Sequence, residues 1–266
     1  MRPTLTPFDT RAEFPEWAGF RGRSTGTHST RSIMIADLAR LLEAVPTDAP
    51  YEAYAEAIVE RNVLDKRTDT TRRQTLQRLG EFYAFDPEVP LFRALRVLWD
   101  AGEAARPLLA LLSAAARDVL LRVSAEAVLP LETGALFDKA DVIGALEREL
   151  PARFTPKSRP QIARITAASW TQSGHLDGHS RKVRRHVDPP PAAVAYAVLL
   201  GYLCGERGGA LFSSPWAVCL DAPAPVLQDR ARDAARHGWI TYRRSGDVLD
   251  VDPRPLLTAD AFARTA

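Results

Sequence analysis

Asp138-Lys-Ala-Asp-Val-Ile-Gly-Ala-Leu-Glu-Arg-Glu-Leu-Pro151 and Thr155-Pro-Lys-Ser-Arg-Pro-Gln-Ile-Ala-Arg-Ile-Thr-Ala-Ala-Ser-Trp-Thr-Gln-Ser-Gly174 read as two short helices joined by a tight turn. Asp138 stands where a carboxylate can cap the free amides of a helix running from Lys139 to Leu150. Pro151 cannot continue that helix. Thr155-Pro-Lys-Ser-Arg-Pro160 restarts the chain into a second helix that reaches about Ser173, with Gly174 as its left-handed C-terminal cap. Helix, short turn, helix is the helix-turn-helix plan. Leu176, a polar Asp177-Gly-His-Ser180 turn and the run Arg181-Lys-Val-Arg-Arg-His-Val187 follow, as a small β-hairpin or an extended basic loop.

Downstream, Pro189 to Pro191 open a new unit, with Asp188 as a candidate cap. Ala192 to Cys204 is apolar nearly all round, which predicts a buried helix. Gly205-Glu-Arg-Gly-Gly209 interrupts it. Ser214-Pro215 begins a short helix to Leu220, and Pro225 begins another to His237, capped by Gly238. Trp239 to Arg244 and Val248 to Val251 alternate around Ser245-Gly-Asp247 and read as a β-hairpin. Three helices and a hairpin make the winged-helix order, so the middle and last units repeat one plan.

Upstream, apolar residues recur at helical spacing from Ile33 to Val45, from Tyr51 to Leu64 with Asp48 as a candidate cap, and from about Thr70 to Tyr83. Thr71 and Gln74 read as a capping box. Leu91 to Ala101 and Arg106 to Val128 read as two further helices, giving a bundle of about five helices with no catalytic signal. Residues 1–32 hold prolines and a Gly/Ser/Thr/Arg run without an apolar period, so they are expected to form an arm without fixed order. The expectation is a mostly α chain: arm 1–32, helical bundle 33–130, helix-turn-helix unit with a basic wing 131–188, winged-helix-like unit 189–257 and tail 258–266, with a small C-terminal β-hairpin.

The 266 residues suffice for a sizeable core. Two cysteines, Cys204 and Cys219, cannot build a disulfide framework and suit a reducing compartment. Met1 to Phe20 lacks the apolar region of a secretory signal, and Ala192 to Cys204 is shorter than the roughly 20 residues that cross a bilayer. The default compartment is the cytoplasm, with no membrane partner.

Net charge is only +2, and 31 of the 35 cations are arginine. An arginine-rich composition by itself points to a GC-rich genome. Position carries more: residues 153–187 hold eight cations and one acid, Asp177, a net +7. Such a local excess attracts phosphates. A solvated basic surface facing an acidic protein is the alternative. Lys157, Arg159 and Gln161 sit at the start of the second helix, the end that reaches base edges in a major groove. Arg164 and Ser169 lie further along. Arg181, Lys182, Arg184 and Arg185 form the wing. In the last unit, Arg243 and Arg244 lie on the hairpin, and Arg230, Arg232 and Arg236 on the helix before it share that helix with Asp229 and Asp233, so this unit fits a protein contact as well as DNA. Arg21, Arg23 and Arg31 of the arm could track a phosphate backbone, but a floppy tail is the favoured reading. Arg72 and Arg73 adjoin Asp65 and Asp69 and read as a solvated face.

Other constellations are weaker. His175 and His179 have one-turn spacing, but the neighbouring Gly174 and Gly178 oppose a helix there, so no metal is expected. Gly205 to Gly209 lacks the lysine ending of a phosphate loop. Asp247, Asp250 and Asp252 could hold a nuclease cation, but no lysine or histidine stands nearby. No catalytic signature appears, and no cofactor or small-molecule substrate is implied.

Asn62-Val-Leu-Asp-Lys-Arg-Thr-Asp-Thr-Thr-Arg-Arg73, Ser169-Trp-Thr-Gln-Ser-Gly-His-Leu176 with Lys182-Val-Arg184, and the terminal winged-helix pattern together resemble the BrxA family of bacterial BREX phage-defence systems. The resemblance spans roughly residues 33–257. It implies a helical, non-enzymatic protein that binds double-stranded DNA beside other defence-system proteins. An adaptor that docks defence subunits through its winged helices is the second expectation, and a nuclease or toxin the third.

Overall fold

The computed structural model describes residues 7–9, 12–22, 29–246 and 248–258. Arg23, Asp247 and residues 259–266 of the expected tail lie outside them. The described chain is mostly helical, with two small antiparallel hairpins. Its elements are α1 (Ile35–Ala44), α2 (Tyr51–Val59), α3 (Asp69–Tyr83), α4 (Pro90–Trp99), α5 (Arg106–Arg117), α6 (Val119–Val128), α7 (Lys139–Glu149), α8 (Arg159–Gln172), β1 (Leu176–Asp177), β2 (Val183–Arg184), α9 (Pro191–Leu203), α10 (Pro215–Val218), α11 (Ala224–Arg236), β3 (Thr241–Ser245) and β4 (Val248–Asp252).

Proline sets many of the helix starts. Pro90, Pro107, Pro160, Pro191, Pro215 and Pro225 occupy the first or second position of their helices. A missing N–H costs nothing there, and the fixed φ suits the first turn. Asp138 caps α7 by accepting from the Ala140 amide at 2.9 Å, and Gly174 ends α8 at φ +87°. Three readings of helix ends change. α2 starts after Pro50 with no side-chain cap from Asp48. The cap of α3 is Thr68, whose hydroxyl accepts from the Thr71 amide at 3.1 Å, and α9 starts after Pro190 with no side-chain cap from Asp188. The expected helix 106–128 is two helices. Asp118 turns extended (φ −136°, ψ 114°) and its carboxylate caps α6, accepting from the amides of Leu120 and Leu121. A carboxylate inside an apolar run gains more as a cap than as a helix interior residue.

The last unit does not stand apart from the N-terminal bundle. One hydrophobic core contains α1–α5 together with α9, α10 and α11. α9 is its axis and packs on α4, α5, α10 and α11. Its all-round apolar surface needs partners on every side, and Tyr196 ties it to the bundle by donating to the Leu91 carbonyl at 3.1 Å. A second, smaller core joins α6, α7 and α8 through Val119, Val123, Val142, Leu146, Ile162 and neighbours.

The arm is also different from the expectation. Phe8, Phe14 and Phe20 gather around Trp216 of α10, with ring centroids 4.9, 6.1 and 5.5 Å away. The Arg21 amide donates to the Ala116 carbonyl at 3.1 Å. The guanidinium of Arg122 lies 4.7 Å over the Phe14 ring and donates to the carbonyls of Arg21 and Gly22. Residues 12–22 are therefore a strap over the core. Its buried phenylalanines stand isolated among prolines, glycines and charged residues, so no continuous alternating or helically spaced apolar run marks the segment.

Candidate nucleic-acid interface

The middle unit begins earlier than Leu131. α6, α7 and α8 pack on one another, and the segment after α6 joins the hairpin. Leu136 bridges Val183 antiparallel, the amides of Gly134 and Phe137 donate to the carbonyls of Arg184 and Lys182, and the Arg184 amide donates to the Ala135 carbonyl. Three helices, a short edge segment and a two-stranded hairpin thus form one winged assembly.

α8 buries one face and shows the other. Ile162, Ala163, Ile165, Thr166, Ala167, Ser169 and Trp170 are buried. Trp170 donates through Nε1 to the Ser124 hydroxyl at 2.8 Å, so α8 cannot roll on α6. The opposite stripe is Gln161, Arg164, Ala168 and Thr171. Gln161 and Arg164 are exposed, and Arg164 donates from Nε and Nη2 to Gln161 Oε1 at 3.1 and 2.9 Å. Lys157 is exposed just before the helix and makes no ion pair among the described residues.

The wing lies against the last turn of the same helix. Lys182 Nζ donates to Thr171 Oγ1 at 2.7 Å and to the Gly178 carbonyl at 2.9 Å. Partial burial and the neighbouring Lys139 ammonium hold the Lys182 amine below its usual value. Sequence reading omitted Lys139, because its nearness to the wing arises only when the segment after α6 pairs with β2. Gly178 makes the turn possible. It stands at φ +104°, and a Cβ there would clash with the Arg181 carbonyl oxygen. Arg181 is exposed at the tip.

Other expected contacts are spent inside the protein. Arg184 is only 2% exposed. Its guanidinium donates to the carbonyls of Val128, His175 and Arg185 and pairs with Asp221 Oδ1 at 2.6 Å. The pleat of the short strand turns this side chain inward, where carbonyls and a carboxylate compensate its charge. Arg184 is thus withdrawn from any surface. Arg159, with 12% of its side chain exposed, bridges α8 to Glu147 of α7 at 2.6 Å. Arg185 pairs with Asp177 at 3.0 Å, and that guanidinium holds the Asp177 carboxyl below its usual range. Both remain exposed, so an anion can compete for the arginine at little cost.

The face therefore combines the α8 stripe with Lys139, Lys157, Arg164, Arg181 and Lys182. No family model matches this chain, and no curated protein matches it. The last unit presents a different surface. On α11, Arg232 pairs with Asp229 and Arg236 with Asp233, while Arg230 reaches Asp188. On its hairpin, Arg243 and Arg244 are exposed, with Asp250 directly across from Arg243.

The remaining candidate groups are structural in placement. His175 is buried. Its Nε2–H donates to the Cys219 carbonyl at 3.0 Å, and Nδ1 lies 2.9 Å from the Ser173 hydroxyl. Burial, aided by Arg184, pushes its pKa down to about 4, so it is neutral near pH 7. His179 is exposed on the wing turn. Among the described residues no three His, Cys, Asp or Glu side chains converge as metal ligands. Arg72 donates to the Val59 carbonyl and Arg73 pairs with Asp69. Among the described residues no helix is long and apolar enough to cross a membrane.

Proposed function

We propose that this chain is a non-enzymatic double-stranded DNA-binding protein and that the α6–α8 winged assembly makes the contact. The observation that carries the reading is the set of solvent-facing cations around one ordered helix stripe. Lys157, Arg164 and Arg181 are exposed without an ion-pair partner among the described residues, and Lys139 and Lys182 stand beside them. A helix whose far face is locked into a core can enter a major groove as a rigid body, with Gln161 and Arg164 toward base edges and the wing on the backbone. The setting we propose, supported by the resemblance to the BrxA family, is accessory DNA binding in a BREX-like phage-defence system in the cytoplasm.

Fluorescence anisotropy with a labelled random duplex tests this, at about 50 and about 200 mM salt. Four phosphate contacts, from Lys139, Lys157, Arg181 and Lys182, predict a log–log salt slope of about −3 to −4. The variant Lys157→Ala, Arg164→Ala, Arg181→Ala, Lys182→Ala should lose most of that slope. Absence of wild-type binding at the lower salt would refute the reading. In that case the second one takes over, an adaptor that docks protein partners. The neutralised arginines of α11 favour that role for the last unit.

A further inference from the structure

We infer that Arg31, on the N-terminal segment, is a further backbone-phosphate contact of the same DNA surface; this rests on the DNA-binding reading of α8 and its wing. The segment leading into α1 is pinned to the end of α8. Ser32 Oγ accepts from Gln172 Nε2 at 2.9 Å, the Ile33 amide donates to Ser169 Oγ at 3.1 Å, and the Ile35 amide donates to Gln172 Oε1 at 3.3 Å. Ile33 is fully buried, and its carbonyl accepts from the Tyr83 hydroxyl at 2.5 Å. The backbone beside Arg31 is thereby held against the last turn of α8, the turn on which Lys182 of the wing also rests through Thr171.

Arg31 itself is exposed and makes no ion pair among the described residues. Charge composition agrees. From Trp17 to Ala36 the chain has three arginines and no acid, as the segment carrying α8 and the wing is nearly free of acids. Two stretches more than a hundred residues apart, each depleted of carboxylates, meet on one helix turn. A polyanion lying along α8 and the wing would pass an exposed guanidinium carried on a fixed stretch of backbone at this point. The three hydrogen bonds already hold the backbone, so binding has only the Arg31 side chain left to order.

The test is a salt titration of duplex binding by the full chain as wild type, Arg31→Gln and Arg31→Lys. Arg31→Gln should lower the magnitude of the salt slope by about 1 with an unchanged thermal midpoint, and Arg31→Lys should keep it. If wild type binds with a steep slope and Arg31→Gln keeps that slope, the inference fails and the DNA reading survives. If wild type shows no salt-dependent binding, both fail.

Discussion

Removing the charge of Asp221 should destabilise the protein strongly, although this residue lies outside the proposed DNA face. Its Oδ1 pairs with the buried Arg184 guanidinium at 2.6 Å, and its Oδ2 accepts from the Val187 amide at 3.3 Å. Arg184 is 2% exposed, and among the described residues no other carboxylate pairs with it. Asp221→Asn keeps the shape and tolerates the left-handed backbone, φ +60°, that Asp221 adopts. What is lost is the countercharge of a buried cation. Breaking such a pair by removing one partner costs about 3–5 kcal/mol, and the retained amide oxygen places Asn at the lower end. At about 3 kcal/mol the thermal midpoint should fall by about 6–12 °C for a chain of this size. Urea unfolding followed by tryptophan fluorescence reports the same loss, since Trp170 packs edge-on against His175 at 4.9 Å beside this network. In a double-mutant cycle, Arg184→Met combined with Asp221→Asn should cost much less than the two single changes summed. A midpoint for Asp221→Asn within about 1 °C of wild type, equivalent to a few tenths of a kcal/mol, would refute the reasoning. So would additivity of the two changes. Arg184→Met should also leave the DNA salt slope unchanged in magnitude, since its charge never reaches solvent.

Two further outcomes follow from the same packing. His175 has a folded pKa near 4 against an ordinary value of 6.5, so the unfolded chain takes up the proton first as pH falls. Its contribution is complete above pH 6.5 and is lost between there and about 4, up to about 3 kcal/mol. Thermal midpoints across that window should fall less in His175→Gln than in wild type, and an equal fall would contradict the assignment. Phe20→Ala should cost about 3 kcal/mol, in the range for a buried aromatic, and should speed proteolytic cleavage within residues 7–22; cleavage at the wild-type rate would show that the strap does not depend on its aromatic anchors.

Local signals in the chain determined much of the architecture. Capping by Asp138, the proline starts and the glycine end of α8 each act within a few residues, so sequence alone places α7, α8, α11 and the C-terminal hairpin close to where they lie, while it left the β1–β2 segment open between a hairpin and a loop. The acid-free stretch around α8 likewise marks the candidate face, because charge composition needs no fold to be seen. Tertiary structure decided which charges remain on that face. Arg184 and Arg185 are adjacent and chemically alike, yet one is enclosed by carbonyls and Asp221 and the other is exposed. Only the direction of a two-residue strand against α6 and the Asp221 loop separates them. The strap and the shared core were equally hidden. Phe8, Phe14 and Phe20 stand six residues apart, which matches no helix face, and their burial depends on Trp216, some two hundred residues away. Contacts between distant segments form where apolar surface and unpaired polar groups find compensation, and that condition is set by the whole fold rather than by any window of sequence.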